Sequence, residues 1–197
     1  NSYGEQLNGF PFSTNGRIRS SPAIGDVDND GEVEIVFGNS GGKLYILNHN
    51  GSQQLAYTQL GFIEGAPVLS DIDNDGDLEI IFGTTTGSGG QIYVIHHNGV
   101  TVAGFPKEVG QMIAGPAVHD IDNDGVVDIV CSTYDKKVWV LEANSGNVKQ
   151  GFPFSSEGRF STPPTIVDID NDGHYEIAAG SNNGDLYILN KDASLYA

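Results

Sequence analysis

Apolar positions in this chain fall in short runs bounded by turn residues, and no stretch holds a helical period. Four runs share one outline, at 34–37 (EIVF), 79–82 (EIIF), 128–131 (DIVC) and 176–179 (EIAA), followed by Gly38, Gly83, Ser132 or Gly180. After each comes a second run, at 43–47 (KLYIL), 91–95 (QIYVI), 137–141 (KVWVL) and 185–189 (DLYIL), across a turn rich in Gly, Asn and Ser. Runs of this length, β-branched and aromatic and separated by turn chemistry, predict strands joined as hairpins. The pattern predicts an all-β chain of four tandem repeats, with residues 1–197 forming a single repeat domain.

Ahead of each first strand stands a polar loop, Asp-(Val/Ile)-Asp-Asn-Asp-Gly-x-x-(Asp/Glu), at 26–34, 71–79, 120–128 and 168–176. The spacing of 45 to 49 residues is that of stacked repeats or propeller blades. Pro22, Pro67, Pro116 and Pro164 each stand four residues before the first aspartate. Within each loop, acceptor oxygens occupy positions 1, 3, 5 and 9, and glycine at position 6 lets the backbone wrap them round one point. The candidate metal ligands are therefore Asp26, Asp28, Asp30 and Glu34; Asp71, Asp73, Asp75 and Glu79; Asp120, Asp122, Asp124 and Asp128; and Asp168, Asp170, Asp172 and Glu176. Position 7 reads Glu32, Asp77, Val126 and His174. That variety fits a ligand supplied by the main-chain carbonyl.

Four carboxylates within about 5 Å repel by roughly 3 kcal/mol per pair at an effective dielectric of about 20. Six such pairs exceed the roughly 5–15 kcal/mol that stabilises a whole domain, so the loops require a cation. All-oxygen ligands on a flexible loop suit Ca²⁺ better than Mg²⁺, and four Ca²⁺ sites are expected. Turn formation alone accounts for one Asp/Asn/Gly cluster but not for four of identical spacing. An EF-hand needs a bidentate Glu at position 12, where this chain has Phe37, Phe82, Cys131 and Ala179.

Phe37-Gly38 and Phe82-Gly83, with Gly65-Ala66-Pro67 ahead of a loop, resemble the FG-GAP (VCBS-type) repeats of integrin α-subunit propellers and secreted bacterial proteins. Copies three and four depart from the signature, with Cys131-Ser132 and Ala179-Gly180, and with Gly115-Pro116-Ala117 and Thr162-Pro163-Pro164. The resemblance implies β-propeller-type blades of four antiparallel strands, each calcium loop joining the first two strands of its blade.

Twenty-six acidic against nine basic residues give a net charge of −17, which four bound dications would bring to −9. Such acidity argues against nucleic acid and anionic membrane as partners, and no segment reads as a membrane span. Calcium at millimolar levels outside cells points to an extracellular, secreted or cell-surface setting. The first residue is Asn1 and the only methionine Met112, so a processed or excised chain is expected. Cys131 takes the place of Phe37 and Phe82 and is expected to be buried. Asn50-Gly51-Ser52 is a glycosylation sequon of low specificity.

No catalytic residue is assigned. His49, His96, His97, His119 and His174 sit in repeat-equivalent or loop positions, and no nucleophile elbow or zinc spacing accompanies them. Tyr45, Tyr93, Trp139 and Tyr187 hold one repeated place, which favours packing between blades over sugar contact. Gly-Phe-Pro recurs at 9–11, 104–106 and 151–153 as the element ending the preceding blade, and segment 1–12 reads as a closing strand with no blade before it. It either closes the last blade of its own chain or that of a neighbour, in a ring or a head-to-tail filament. The expected function is a non-catalytic structural or adhesive calcium-binding module, self-associating as a homo-oligomer or filament, with a glycan or protein as further ligand. The alternative is a carbohydrate-binding or accessory domain of a secreted polysaccharide-degrading enzyme.

Overall fold

The computed structural model describes residues 5–59 and 61–196, and among these there are fifteen strands and no helix. The first blade is the antiparallel meander β1 (Ala23–Gly25), β2 (Glu34–Gly38), β3 (Lys43–Asn48) and β4 (Gln53–Thr58). The second runs β5 (Val68–Ser70), β6 (Glu79–Gly83), β7 (Gln91–Ile95) and β8 (Lys107–Glu108). The third is β9 (Ala117–His119), β10 (Asp128–Ser132), β11 (Lys137–Glu142) and β12 (Phe154–Ser155). In the fourth, β13 (Thr165–Val167), β14 (Glu176–Gly180) and β15 (Leu186–Leu189) make a three-stranded sheet among the described residues. The two apolar runs of every repeat are thus the second and third strands, and each acidic loop joins the first strand to the second, as the resemblance implied.

Central strands carry apolar side chains on both faces because the inner blades, two and three, are covered on both. Val36, Leu44 and Ile46 of blade one pack against Ile80, Phe82, Tyr93 and Ile95 of blade two. Ile81, Ile92 and Val94 on the other face of blade two meet Ile129, Cys131 and Leu141 of blade three. Val130, Val138 and Val140 repeat the scheme against Ile177, Ala179 and Leu189 of blade four. Each fully buried side chain of this kind contributes about 1.5–3 kcal/mol. The innermost strands β1, β5, β9 and β13 neighbour one another in chain order.

The signature residues are explained by these contacts. The ring of Phe37 stacks on Tyr45 at 5.4 Å and that of Phe82 on Tyr93 at 5.0 Å. A Cβ on Gly83 would lie 2.5 Å from Met112, and one on Gly38 would overlap Ile63, so the glycine after Phe is a socket for the chain entering the next blade. Gly65 lies against the backbone of Ala114 and Gly115. Cys131 is fully buried opposite Trp139, and burial pushes its thiol up to about 12, so it is a packing residue.

Gly-Phe-Pro leads into the fourth strand and does not form it: β8 and β12 begin one residue after Pro106 and Pro153, and proline has no N–H to donate. Where the tripeptide is missing, β4 takes its place with six residues and a register shift beside Ile46 and Leu47. Gly104 and Gly151 abut the hairpin turns at Ser145–Gly146 and Asp192–Ala193 of the following blades, and Gly9 abuts Asn50 and Gly51 in the same way. Residues 1–4 of the segment read as a closing strand lie outside the described residues. Residues 5–12 form no strand and dock on blade one, with Phe10 and Phe12 covering Phe37, Tyr45 and Leu47.

Candidate metal centres

Each loop is built by its own side chains. Asp26 accepts N–H hydrogen bonds from Asp30 at 3.0 Å and Gly31 at 2.9 Å, and Asp30 accepts one from Glu32 at 2.8 Å. The third loop repeats this with Asp120 bonded to Asp124 and Gly125, and the fourth with Asp168 bonded to Asp172 and Gly173. In the second loop, Asp71 accepts from Gly76. The motif asparagines are in the left-handed region, with φ of 54° at Asn29, 61° at Asn74, 59° at Asn123 and 61° at Asn171. Position 6 follows with φ between 88° and 98°, which glycine adopts without strain.

Position 9 anchors the loop from the first residue of the second strand. Glu34, Glu79 and Glu176 each accept the position 2 N–H at 3.0 Å with one oxygen, and Asp128 does so at 3.3 Å. These four carboxylates are buried, leaving their second oxygens facing the loop. Ligand atoms within 4.8 Å of one another come from Asp26, Asp28 and Glu34, from Asp120, Asp122 and Asp128, and from Asp168, Asp170 and Glu176. The second loop gathers Asp71, Asp73 and Asp75, and separately Asp73 and Glu79 with His96.

Asp28 Oδ1, Asp71 Oδ1, Asp122 Oδ1 and Asp128 Oδ1 are buried without a hydrogen-bond partner. A buried carboxylate oxygen with no donor is costly unless a cation meets it, so these residues fit a hard, oxygen-seeking ion. Burial raises the pKa of Glu34 and Glu79 against the pull of their backbone hydrogen bonds, and pushes Asp128 up to about 6. Protonation and metal binding are competing answers to the same crowding.

The structure places the position 7 side chains outside the cradle. Glu32 pairs with His49 at 3.5 Å, Asp77 with His97 at 3.0 Å, and His174 with Lys191 at 3.4 Å. Each partner stands two residues after the end of its blade's third-strand run. The side chain is thereby turned to the hairpin, which leaves only the carbonyl for the loop interior.

Residues missed in the sequence reach the loops from the hairpin and from the entry to the fourth strand. His96 Nδ1 lies 2.8 Å from Glu79 Oε1. Gln54 donates to Asp28 Oδ2 at 2.7 Å, and the Tyr196 hydroxyl donates to Asp170 Oδ2 at 3.3 Å. Lys149 contacts Asp122 at 2.8 Å, Asp124 at 3.1 Å and Asp128 at 3.4 Å. Burial works against the Lys149 charge, but hydrogen bonds to Asp122 and Asp124 more than reverse it, and its pKa is raised. For Gln54, Lys149 and Tyr196 the one available signal was a shared place 28 or 29 residues after the first aspartate of the loop. Neighbouring loops also touch: Leu78 N–H donates to the Val27 carbonyl, Tyr175 N–H to that of Ile121, and the Asn123 side chain to Gly173.

The chain belongs to the FG-GAP-like repeat family, which it matches over residues 26–82, 71–131 and 120–179. No curated protein sequence matches it. Among solved structures it is similar to the Vibrio cholerae biofilm matrix protein Bap1, at 19% identity and a TM-score of 0.69, over 89% of this chain and 27% of that one. The Pseudomonas aeruginosa PilY1 C-terminal domain is similar at 16% identity and a TM-score of 0.68, over 88% and 50%. BamB from Moraxella catarrhalis follows at 19% identity and 0.62, over 91% and 52%. The chain thus spans about a quarter to a half of these proteins, and the likeness is one of fold. Among the described residues no helix is long and apolar enough to cross a membrane.

Proposed function

We propose that this chain is a calcium-binding structural module of an extracellular or cell-surface protein, in which metal uptake at the loops makes a row of blades rigid enough to serve as a binding or adhesive surface. The supporting observation is the gathering of carboxylate oxygens in every loop, with Asp28 Oδ1 and Asp71 Oδ1 buried and without a donor in the first two. A bound dication supplies the positive charge that these oxygens need. The protein's own part is to fix them, through the amide bonds to Asp26, Asp120 and Asp168 and the anchored position 9 carboxylates. The module is non-catalytic in this reading. Tyr45 and Tyr93 stack on Phe37 and Phe82 and are buried, so these two repeated aromatics do not support the carbohydrate-binding alternative.

The reading includes head-to-tail association with a second copy. The face of blade one formed by Ile35, Phe37, Tyr45 and Leu47 repeats the face by which blade two receives blade one; Phe10 and Phe12 pack over it, leaving Phe37, Tyr45 and Leu47 buried and Ile35 partly exposed, so a second copy would have to dock on or displace them. At the other end Leu186, Ile188 and Ala178 repeat the complementary face, and Leu186 is 68% exposed. Heterologous contacts of this kind build rings or filaments.

Thermal melts and sedimentation velocity, each in millimolar Ca²⁺ and in excess EGTA, test both parts. Binding to the folded state alone adds roughly 2.7 kcal/mol when free metal is 100 times Kd, so chelation should lower the melting temperature by many degrees and disperse the assemblies. An unchanged melt would overturn the calcium reading. A monomer at every concentration in calcium would overturn association.

A further inference from the structure

The four loops are alike in motif but differ in what reaches them from the fourth-strand entry. Val102, Lys149 and Tyr196 hold one register position, donating their N–H to the carbonyls of Val94, Val140 and Ile188. In blade one the irregularity of β4 brings Gln54 to the corresponding place. The four loops therefore face a neutral amide, an apolar side chain, an ammonium and a phenol. Among the described residues only the third receives a lysine at this position; the second loop instead has the His96 imidazole 2.8 Å from Glu79 Oε1.

Lys149 is well placed to act as a cation. Its side chain is 10% exposed, and its ammonium lies 2.8, 3.1 and 3.4 Å from three carboxylates, the last, to Asp128 Oδ1, being an ionic contact without a hydrogen bond. These are positions 3, 5 and 9 of the loop, and at position 9 the atom is Asp128 Oδ1, the oxygen left over after Asp128 Oδ2 accepts the Ile121 N–H. A second departure occurs in the same loop. Position 9 is Glu34, Glu79 or Glu176 elsewhere but Asp128 here, one methylene shorter, which draws the carboxylate back and leaves room for an ammonium nitrogen. Two coupled substitutions, a shortened acid and an inserted base, distinguish this loop from its sisters.

We propose that Lys149 is a tethered counter-cation for the third loop, supplying from within the chain the charge that the other three loops take from calcium. The loop at 120–128 is then ordered without metal, and calcium binds there only when the ammonium is withdrawn. The chain carries three calcium sites and one self-filled site, set between the metal-dependent loops of blades two and four.

This rests on the calcium reading above, and calorimetric titration of the whole chain with Ca²⁺ separates the two. Three ions per chain are expected, rising to four in Lys149→Met with the β-sheet circular dichroism kept in calcium. Four ions in the unaltered chain, or three in both proteins, overturn the tethered cation and leave the calcium reading standing; no uptake by either protein overturns both. Should Lys149→Met need calcium to fold, hydrogen exchange of the unaltered chain in excess EGTA decides. The Asp124, Gly125 and Val126 amides should then outlast those of Asp30, Gly31 and Glu32 by about tenfold or more. Equal loss of protection in the two loops would overturn the assignment.

Discussion

The buried carboxylates at position 9 set how the metal-free chain responds to acid. Burial holds Glu34 and Glu79 above their ordinary value of 4.5, and Asp128 is pushed from 3.8 up to about 6. A carboxyl whose folded pKa is raised binds its proton more tightly in the folded state, so stability is gained as pH falls through the folded value and lost as pH rises. Metal-depleted protein should therefore melt higher at about pH 5.5 than at about pH 7.5. Calcium-loaded protein should show the reverse, because protons then compete with the ion. Differential scanning calorimetry at the two pH values checks both signs, and a metal-free melt that falls on acidification would contradict the burial argument. At this scale the carboxylates that meet in each loop were legible, because Asp, Asn and Gly at fixed offsets encode the turn and its acceptors together, but the structure leaves Asp30, Asp124 and Asp172 outside the clusters of their loops. The hairpin and fourth-strand residues were not legible, since His96, Gln54, Lys149 and Tyr196 meet the loops only after the sheet has brought distant segments together.

Blades are stabilised mainly by the layers between them. Phe160, 1% exposed, lies in the layer where Val130, Val138 and Val140 meet Ile177 and Ala179. Phe160→Ala should cost roughly 3–5 kcal/mol, and hydrogen exchange should show the loss in blades three and four with blade one little changed, as expected of repeats coupled to their neighbours. Uniform deprotection would mean that the blades open as one unit. The second and third strands were readable from their apolar runs, flanked by Gly and Asn turns. The first strands, three residues each, and the two-residue fourth strands β8 and β12 were not. Their pairing is fixed by the strands beside them and by Gly-Phe-Pro docking on the next hairpin. The tripeptide showed where the fourth strand is approached but not that the strand starts after the proline.

Across the whole molecule a net charge of −17 is gathered largely along the loops. At 0.01 M ionic strength charges interact over about 30 Å and at 1 M over about 3 Å. Sodium chloride should therefore raise the melting temperature of the metal-free chain by several degrees and shift the calcium-loaded chain much less; equal shifts in the two forms would show that loop repulsion is not what opens the metal-free state. The repeat number and order of blades were legible from the period alone. Which terminal blade face is covered was not, because an exposed apolar face is written in the same residues as a covered one. The outward turn of the position 7 side chains separates two tasks within a nine-residue loop. Glu32 with His49, Asp77 with His97, and His174 with Lys191 decorate the rim without contributing side-chain atoms to its interior. These pairs can be rewritten together, as Val126 and Ala143 already are in the third repeat. The rim is thus an evenly spaced set of grafting points, where a label or a new recognition group can be mounted while the oxygens beneath keep their geometry.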